Sequence, residues 1–285
     1  MNRLQAIVLW GMVLLYAVAR YSQLYADRLP TLLIVLLHVA PPAIFAIAHG
    51  GVFYRAKGVT IFAAFCLGIG GLAEIMSLRT GFPFGHYYFR EVMGPKVFEV
   101  PILLVLAYLG IGYVSWVLAL IILGYIDKPM TGVRVFALPL LAALIMLAWD
   151  WSMDPTWSTL DRVWIWEQGG AYFGVPLSNF AGWFVVAYIY YLAFALYCRT
   201  QKCVPAPRSR NYWWCAILLY ATCGLGNLLL LRLPTAPVVA DVTGKQWYTS
   251  DIFGGCALVS LLLMTPFAVL AAFRLMESRS ANPIA

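Results

Sequence analysis

Charged residues are scarce in this chain of 285 residues, since Asp, Glu, Lys and Arg together make up 11% of it. A water-soluble globular domain carries about 25%. Hydrophobic residues make up 63% of the sequence, which is more than the core of a domain of this size can bury. The composition therefore excludes an ordinary soluble protein and indicates that lipid surrounds much of the surface.

Motifs of several enzyme classes are also missing. The chain has no GxxxxGK[ST], no GxGxxG at a strand–helix junction and no GxSxG, so nucleotide-driven and serine-hydrolase chemistry are unsupported. Its three histidines, His38, His49 and His86, lack HxxxH or HxxH spacing. This argues against His-rich di-iron enzymes and, less strongly, against zinc. We expect neither a metal nor another cofactor.

Neither the cysteines nor the basic residues indicate a disulfide-rich, metal-binding or nucleic-acid-binding protein. The six cysteines form no CxxC pair and mostly lie in apolar runs, which is typical of small packing residues. The net charge of +7 would suggest nucleic acid in a soluble protein. Here Lys and Arg lie in short loops, where they set membrane orientation. We expect lipid headgroups, and no nucleic acid, as partners of these charges.

Eight apolar runs, each close to the ~20 residues that a bilayer requires, predict an all-α bundle of about eight transmembrane helices. The first run follows Arg3 and ends near a signal-like Ala17-Val18-Ala19, and we read it as a retained helix. Residues 1–285 are expected to form one domain in the cell membrane, with both termini cytoplasmic. The predicted spans are 4–22, 30–49, 58–78, 100–126, 133–150, 178–198, 211–231 and 252–274.

Two connections, 79–99 and 150–178, are longer and more aromatic than ordinary loops. We expect both to fold back against the bundle, because irregular backbone must be shielded from lipid. Breaks between the other runs are short, such as Gly50-Gly51 and the segment 205–210.

Two acids stand at the end of the fifth run. Asp150 is flanked by Trp149 and Trp151, and Asp154 follows four residues later. An acid at such a boundary is a functional candidate, because apolar surroundings favour the protonated form that can donate a proton. Pro155 disfavours helix at the preceding residue, so we expect the helix to end between the acids. Asp154 could instead cap a new short helix.

Other polar groups lie within or beside the apolar runs. Glu74 follows a Gly-rich stretch and should face the bundle interior, with Arg79 or His86 as its structural partner if it has no catalytic role. Asn179 and Asn227 could bind a substrate oxygen or water, or could bridge helices.

At these residues the sequence resembles the carotenoid 1,2-hydratase family, which includes the bisanhydrobacterioruberin hydratases. The resemblance rests on GFPFGHYY at 81–88, WDWSMDP at 149–155, and YFGVP at 172–176 leading to NFAGW at 179–183. It implies a membrane enzyme that adds water to the terminal double bond of an acyclic carotenoid such as lycopene, γ-carotene or a bisanhydrobacterioruberin-type precursor. The resemblance assigns no catalytic residues.

Hydration of such an alkene requires an acid, stabilisation of a tertiary cation and a base for water. Our hypothesis makes Asp150 the proton donor, and Asp154 or Glu74 the group that positions water and accepts its proton. Aromatic faces would stabilise the cation. The predicted substrate-binding residues are Trp149, Trp151, Trp166, Tyr172, Phe173, Asn179, Trp183, His86, Tyr87 and Tyr88.

Three other functions remain open at this stage. Asp150 and Asp154 match half of the paired Asp-rich pattern of intramembrane prenyltransferases, but the second Asp-rich motif is missing. A carotenoid cyclase uses the same protonation step without water. A carotenoid-binding or transport protein is the non-enzymatic alternative, although the chain lacks a clear inverted repeat. The sequence leaves the oligomeric state unknown.

Overall fold

The computed structural model describes residues 2–201, 209–233 and 237–277. Within these ranges seven helices are long and apolar enough to cross a membrane, which confirms the predicted all-α polytopic bundle. A short π-helical turn, Ser260–Met264, joins the last two helices into one rod. The helices are α1 (Arg3–Ser22), α2 (Thr31–Thr80), α3 (Ile102–Ile122), α4 (Arg134–Pro155), α5 (Leu177–Thr200), α6 (Arg210–Leu229), α7 (Thr249–Val259) and α8 (Thr265–Glu277).

Helix α2 contains 50 residues and is broken at Arg55, where the backbone takes φ 61° and ψ 174°. A straight helix of this length would measure about 75 Å, more than twice the ~30 Å of a bilayer core. The two halves, 31–54 and 56–80, are each long enough to span. At the bend Gly50 packs against Val59, where a Cβ on Gly50 would come within 2.6 Å of the valine side chain. The halves correspond to the predicted spans 30–49 and 58–78.

The irregular connections with β-strands lie at one end of the bundle, which we term the capped end. It comprises residues 81–101, 156–176 and 230–248. The opposite end, with the bend at Arg55 and the turn 123–133, is termed the turn end. Three antiparallel strand pairs stand at the capped end: β1 (Tyr87–Phe89) with β4 (Trp164–Trp166), β2 (Lys96–Val97) with β3 (Val100–Pro101), and β5 (Val238–Ala240) with β6 (Gln246–Tyr248).

The two long aromatic connections are joined to each other. Strand β1 belongs to the first and β4 to the second, and Tyr87 pairs with Trp166 in their register. Phe84, Trp164 and Trp166 are each at most 7% exposed. The prediction that both connections fold back against the helices is therefore confirmed.

Helix α4 does not end between Asp150 and Asp154, so that prediction was wrong, as was the alternative of a new helix capped by Asp154. The helix continues to Pro155 and passes into a π-helical turn, Thr156–Leu160. Proline has no N–H donor and its ring crowds the carbonyl one turn earlier, so the regular hydrogen-bond ladder is interrupted at this position. The wider turn then re-forms backbone bonds, with the Asp161 N–H donating to the Thr156 carbonyl at 2.9 Å.

Most of the predicted break at 205–210 lies outside the described residues, as does Cys203. The five described cysteines are buried and form no disulfide with one another, which agrees with their interpretation as packing residues.

Candidate functional site

Asp150 and Asp154 lie one turn apart on α4 and share a hydrogen-bond donor. The side-chain amide of Asn179 donates to Asp150 Oδ2 at 3.2 Å and to Asp154 Oδ2 at 2.7 Å. Asn179 lies in the first turn of α5. Pro176 precedes this helix and has no N–H, so it leaves no unpaired donor at the helix start. The amide thus fixes the two carboxyl groups beside each other.

Asp154 accepts two further hydrogen bonds from strand β4. The indole Nε1 of Trp164 lies 3.0 Å from Asp154 Oδ1, and that of Trp166 lies 3.4 Å from the same oxygen. Residues two apart in a strand point to the same face, so the pattern Trp164-Ile165-Trp166 presents both indoles to the acid. Among the described residues, Asp150 accepts from Asn179 alone. The two acids therefore differ in their surroundings.

Glu74 supplies a third carboxyl group from the second half of α2. It is 2% exposed, which confirms that it faces the bundle interior. The hydroxyl groups of Tyr87 and Tyr108 donate to its two carboxylate oxygens. Neither Arg79 nor His86 pairs with it, so the partners predicted from the sequence were wrong.

The three acids border one cavity of about 320 Å³ at the capped end. Its walls are mainly aromatic. Trp183 packs against Tyr108, with ring centroids 4.3 Å apart, and Tyr87 packs against Trp166 at 4.6 Å. The aromatic residues of the wall are Tyr87, Phe89, Tyr108, Trp164, Trp166 and Trp183.

No Lys or Arg pairs with these carboxyl groups among residues 2–201, 209–233 and 237–277, where the ion pairs found involve other acids. Taking an unpaired carboxylate out of water costs several kcal/mol, whereas a protonated carboxyl group costs far less. Three unpaired carboxylates in one buried cavity are therefore costly, and a proton on one of them lowers this cost. Such a cluster can donate one proton and accept another.

A second, apolar cavity of about 600 Å³ adjoins the carboxyl cavity. It lies between α1, the first half of α2, α3 and α4, and Trp149 is in its wall. Leu104, Met153 and Trp164 line both cavities. An extended apolar molecule could thus place its end among the acids and its chain in the larger cavity.

Three of the predicted substrate-binding residues lie in a different aromatic cluster. Trp151 packs against Tyr172 at 5.9 Å between ring centroids, and Tyr172 packs against Phe173 at 4.9 Å. None of the three lines either cavity. Burial raises the pKa of the Tyr172 hydroxyl, so this group remains protonated over the physiological range. Adjacent residues of a helix point to different faces, so Trp151 points away from the carboxyl groups although it follows Asp150 directly.

Two more predicted residues stand apart from the acids. The His86 ring packs over Gly81, and its backbone carbonyl accepts from the Glu167 N–H at 2.9 Å. Tyr88 is 49% exposed on the outward face of β1. By contrast, Tyr87, Trp166, Asn179 and Trp183 all border the carboxyl cavity, and Trp149 borders the apolar one.

Sequence reasoning missed several residues of the site, of which Tyr108, Trp164 and Met153 are the main ones. The alternation of Trp164 and Trp166 carried a signal, because a period of two predicts a shared face on a strand. Tyr108 and Met153 carried none, since both types are common in apolar helices.

Comparison with known proteins places the chain in a family. Residues 30–243 match the family described as "Carotenoid biosynthesis protein". A protein of Haloarcula japonica named "Bisanhydrobacterioruberin hydratase" is 30% identical over 122 residues, which cover 42% of this chain and 39% of that protein. No solved structure matches the chain. Because the family match extends over most of the sequence, the chain belongs to the carotenoid biosynthesis protein family.

Proposed function

We propose that this protein adds water across the terminal C1=C2 double bond of an acyclic carotenoid and so forms a tertiary alcohol. The observation that carries the proposal is a pair of carboxyl groups, bridged by Asn179, in an aromatic cavity that adjoins a larger apolar one. The family match and the name of the Haloarcula relative support a carotenoid substrate and a hydration reaction.

The hydrogen bonds favour different roles for the two aspartates. Asp154 accepts three N–H donors, from Asn179, Trp164 and Trp166, and donors of this kind stabilise the carboxylate form. Asp150 has one such donor and keeps its proton more readily. We therefore assign Asp150 as the acid and Asp154 as the base.

The reaction then follows in balanced steps. Asp150 transfers its proton to C2 of the alkene, and the π electrons form the new C–H bond, which leaves a tertiary cation at C1. The oxygen of a water molecule attacks C1, and Asp154 takes the proton that water loses. Proton exchange between the two acids and water restores the starting state, and the net change is the addition of one water.

The walls of the carboxyl cavity suit the cationic intermediate. The rings of Trp166, Trp183 and Tyr87 border the space next to the acids, and each aromatic face near a cation contributes about 0.5–2 kcal/mol. Glu74, held by two tyrosine hydroxyls, adds a further anionic or dipolar group that favours positive charge in the cavity. The apolar cavity would hold the adjoining part of the polyene.

The membrane setting follows from the substrate. A hydrocarbon polyene dissolves in the bilayer, and α1 and α2, which border the apolar cavity, carry exposed apolar side chains on their outer faces. We place the protein in the cell membrane with both termini in the cytoplasm, so that the capped end and its acids stand towards the opposite side.

Pigment analysis in a host that makes lycopene tests the proposal. Expression of the chain should yield a product heavier than lycopene by one water, with a tertiary alcohol at the chain end. Asp150→Asn should lower the yield by a factor of about 100 or more, because general acid catalysis contributes 10²–10⁴-fold. Asp161→Asn removes an exposed carboxyl group of the same capped end and serves as the matched control.

Other products would reject the proposal in recognisable ways. A ring-containing product of unchanged mass would identify a cyclase, and normal alcohol formation by Asp150→Asn would remove this residue from the acid role. If lycopene, γ-carotene and a bisanhydrobacterioruberin-type carotenoid all stayed unchanged although the protein is folded in the membrane, binding or transport would be the better explanation.

A further inference from the structure

A third cavity, of about 730 Å³, lies at the capped end, and we term it the polar cavity. It is enclosed by the end of α1, the start of α2, the end of α4 with its π-helical turn, the end of α6 and the start of α7. Four polar side chains belong to its wall, those of Arg20, Gln23, Thr156 and Asn227. The wall also includes Ala26, which is exposed, so the cavity reaches the protein surface.

The polar side chains of this wall suit water as its occupant. Arg20 is 5% exposed, its Nη2 donates to the Asn227 side-chain oxygen, and no carboxylate in the described ranges forms an ion pair with it. A buried guanidinium without a counter-charge is costly unless water or other polar groups solvate it. Gln23 also points a polar group inward, since its Nε2 donates to the Gly226 carbonyl at 2.6 Å. Cavities with several polar partners hold water, whereas purely apolar ones stay dry.

Met153 stands where the polar cavity meets the reaction site. Met153 and Asp154 follow Asp150 by three and four residues, so the three side chains share one face of α4. Trp157, one turn further along, lines the polar cavity. Among the described residues that line the carboxyl cavity or the polar cavity, Met153 alone belongs to both walls. It also lines the apolar cavity, so all three cavities meet at this one side chain.

A methionine at this position forms a partition that can move. Its side chain is unbranched, has three rotatable bonds and ends in a thioether that is only a weak acceptor. The carboxyl groups of Asp150 and Asp154 are held by Asn179 from α5 instead. A rotation of the methionine side chain therefore opens or closes the gap between the two cavities without moving the acids.

We propose that the polar cavity is the route by which water reaches the acids, and that the side chain of Met153 is the partition that each water molecule passes. The proposal rests on the proposed function, because water is the second substrate of the hydration. Water enters from the surface of the capped end, while the polyene occupies the apolar cavity on the other side of Met153. The two substrates thus approach the carboxyl groups by separate paths.

Oxidation of methionine by hydrogen peroxide tests the route without turnover. Peroxide is small and water-soluble, transfers one oxygen atom to the thioether sulfur and leaves as water. Two other methionines provide internal references, each 2% exposed: Met146 borders none of the three cavities, and Met93 borders the apolar cavity alone. In the full-length protein in detergent, Met153 should form its sulfoxide about tenfold faster than either reference, because oxidation follows the access of aqueous oxidant to sulfur. Mass spectrometry of chymotryptic peptides, cleaved after Trp149, measures the rates separately.

A variant with a narrowed polar cavity links the route to the reaction. Ala26→Phe combined with Thr31→Trp adds two large rings to the wall at positions that are exposed and half-buried. The double variant should slow Met153 oxidation about threefold or more, and should slow alcohol formation from lycopene by a similar factor, because both depend on the same access. Ala171→Phe places one such ring at an exposed residue of the capped end that lines none of the three cavities, and should change neither rate.

The outcomes separate the water route from the hydration reaction. Oxidation of Met153 as slow as that of Met146, or of Met93 as fast as that of Met153, would overturn the route. A Met153 rate that the double variant leaves unchanged, or a slowed oxidation with normal alcohol formation, would overturn it as well. A protein whose Met153 oxidises as expected but which does not hydrate lycopene would keep a water-filled path to the acids and reject only the proposed reaction.

Discussion

The two ends of the bundle use the same kinds of side chain in opposite ways. At the turn end His49 is fully buried, and its two ring nitrogens lie 2.8 Å from the Tyr113 hydroxyl and 3.2 Å from the Tyr212 carbonyl. The rings of His49 and Tyr212 stack at 3.7 Å. At the capped end Tyr108 and its neighbours instead surround a cavity that contains three acids.

This contrast indicates where binding takes place. Polar groups at the turn end bond to one another across α2, α3 and α6 and fill the space between the helices, so they stabilise the bundle. Polar groups at the capped end, such as Asp150 and Glu74, border open volume. In a membrane protein, a buried polar group that faces a cavity is a stronger functional candidate than one whose partners are all protein atoms.

The largest expected effect in this comparison concerns the amide that joins the two aspartates. Asn179→Leu removes the donor shared by Asp150 and Asp154, so the acids lose the amide that fixes them beside each other. We expect product formation to fall about tenfold to hundredfold, by analogy with general acid–base contributions. The amount of folded protein should change little, because two carboxyl groups can share a proton in place of the amide. Product yield by mass spectrometry and the elution profile in detergent provide the two measurements.

A neighbouring residue of α5 offers the control. Ser178 donates to the Phe84 carbonyl at 2.9 Å and does not touch the acids. Ser178→Ala should keep activity within about twofold, since it removes a single neutral hydrogen bond. Similar losses for Ser178→Ala and Asn179→Leu would show that the start of α5, rather than the amide, is what matters.

Helix α3 carries two buried tyrosines, one that contacts the site at the capped end and one that contacts the packed groups of the turn end. The Tyr108 hydroxyl donates to Glu74 at the capped end, and the Tyr113 hydroxyl bonds His49 at the turn end. Tyr108→Phe should reduce hydration about tenfold with little loss of thermal stability. Tyr113→Phe should leave the reaction rate per folded molecule intact but lower stability by about 1–3 kcal/mol, because a buried imidazole nitrogen loses its partner.

Rates per folded protein and melting temperatures in detergent measure this difference. If both substitutions lowered stability equally and neither changed the rate, Glu74 would be a structural group and the site would reduce to Asp150, Asp154 and Asn179. If Tyr113→Phe lowered the rate as much as Tyr108→Phe, the two ends would be coupled, and the distinction between them would be wrong.

The sequence predicts the helices well because apolar length is a direct requirement of the bilayer. It also singles out Asp150, since a charge beside two tryptophans in an apolar run has a clear energetic cost. It does not predict that α4 continues through Pro155, because the compensating π-helical turn depends on packing against strand β4. The role of Tyr108 is equally hidden, as a tyrosine in an apolar helix becomes informative only when α3 brings it to Glu74.

Long-range pairing explains the remaining errors. The sequence places Trp151 with Asp150 because the two are adjacent in the chain, whereas a helix turns adjacent residues to different faces. Arg20 belongs to α1 and His38 to α2, and only the fold reveals that they share one cavity. Features that depend on one segment are predictable, and features that depend on which segments meet are not.

The smallest expected effect lies in the exposed part of the capped end, the hairpin of β5 and β6. Asp241 accepts from the Thr243 N–H at 2.9 Å, from the Lys245 N–H at 3.1 Å and from Trp247 Nε1 at 2.9 Å. Partial burial acts in the opposite direction, but the hydrogen bonds hold the pKa of Asp241 below its usual value. The hairpin should therefore be pH-sensitive while the carboxyl cavity is shielded.

The direction in which pH changes the stability of the hairpin follows from the lowered pKa of Asp241. A carboxylate that is more acidic in the folded state stabilises it at pH values above the unfolded pKa of about 3.9, and this stabilisation is lost as the pH falls through the folded value. Hydrogen exchange of the hairpin amides, corrected for the intrinsic rate, should show reduced protection below about pH 4. Asp241→Asn should show weaker protection at neutral pH and no further loss on acidification. Equal pH dependence in both proteins would mean that another acid of the capped end controls the hairpin.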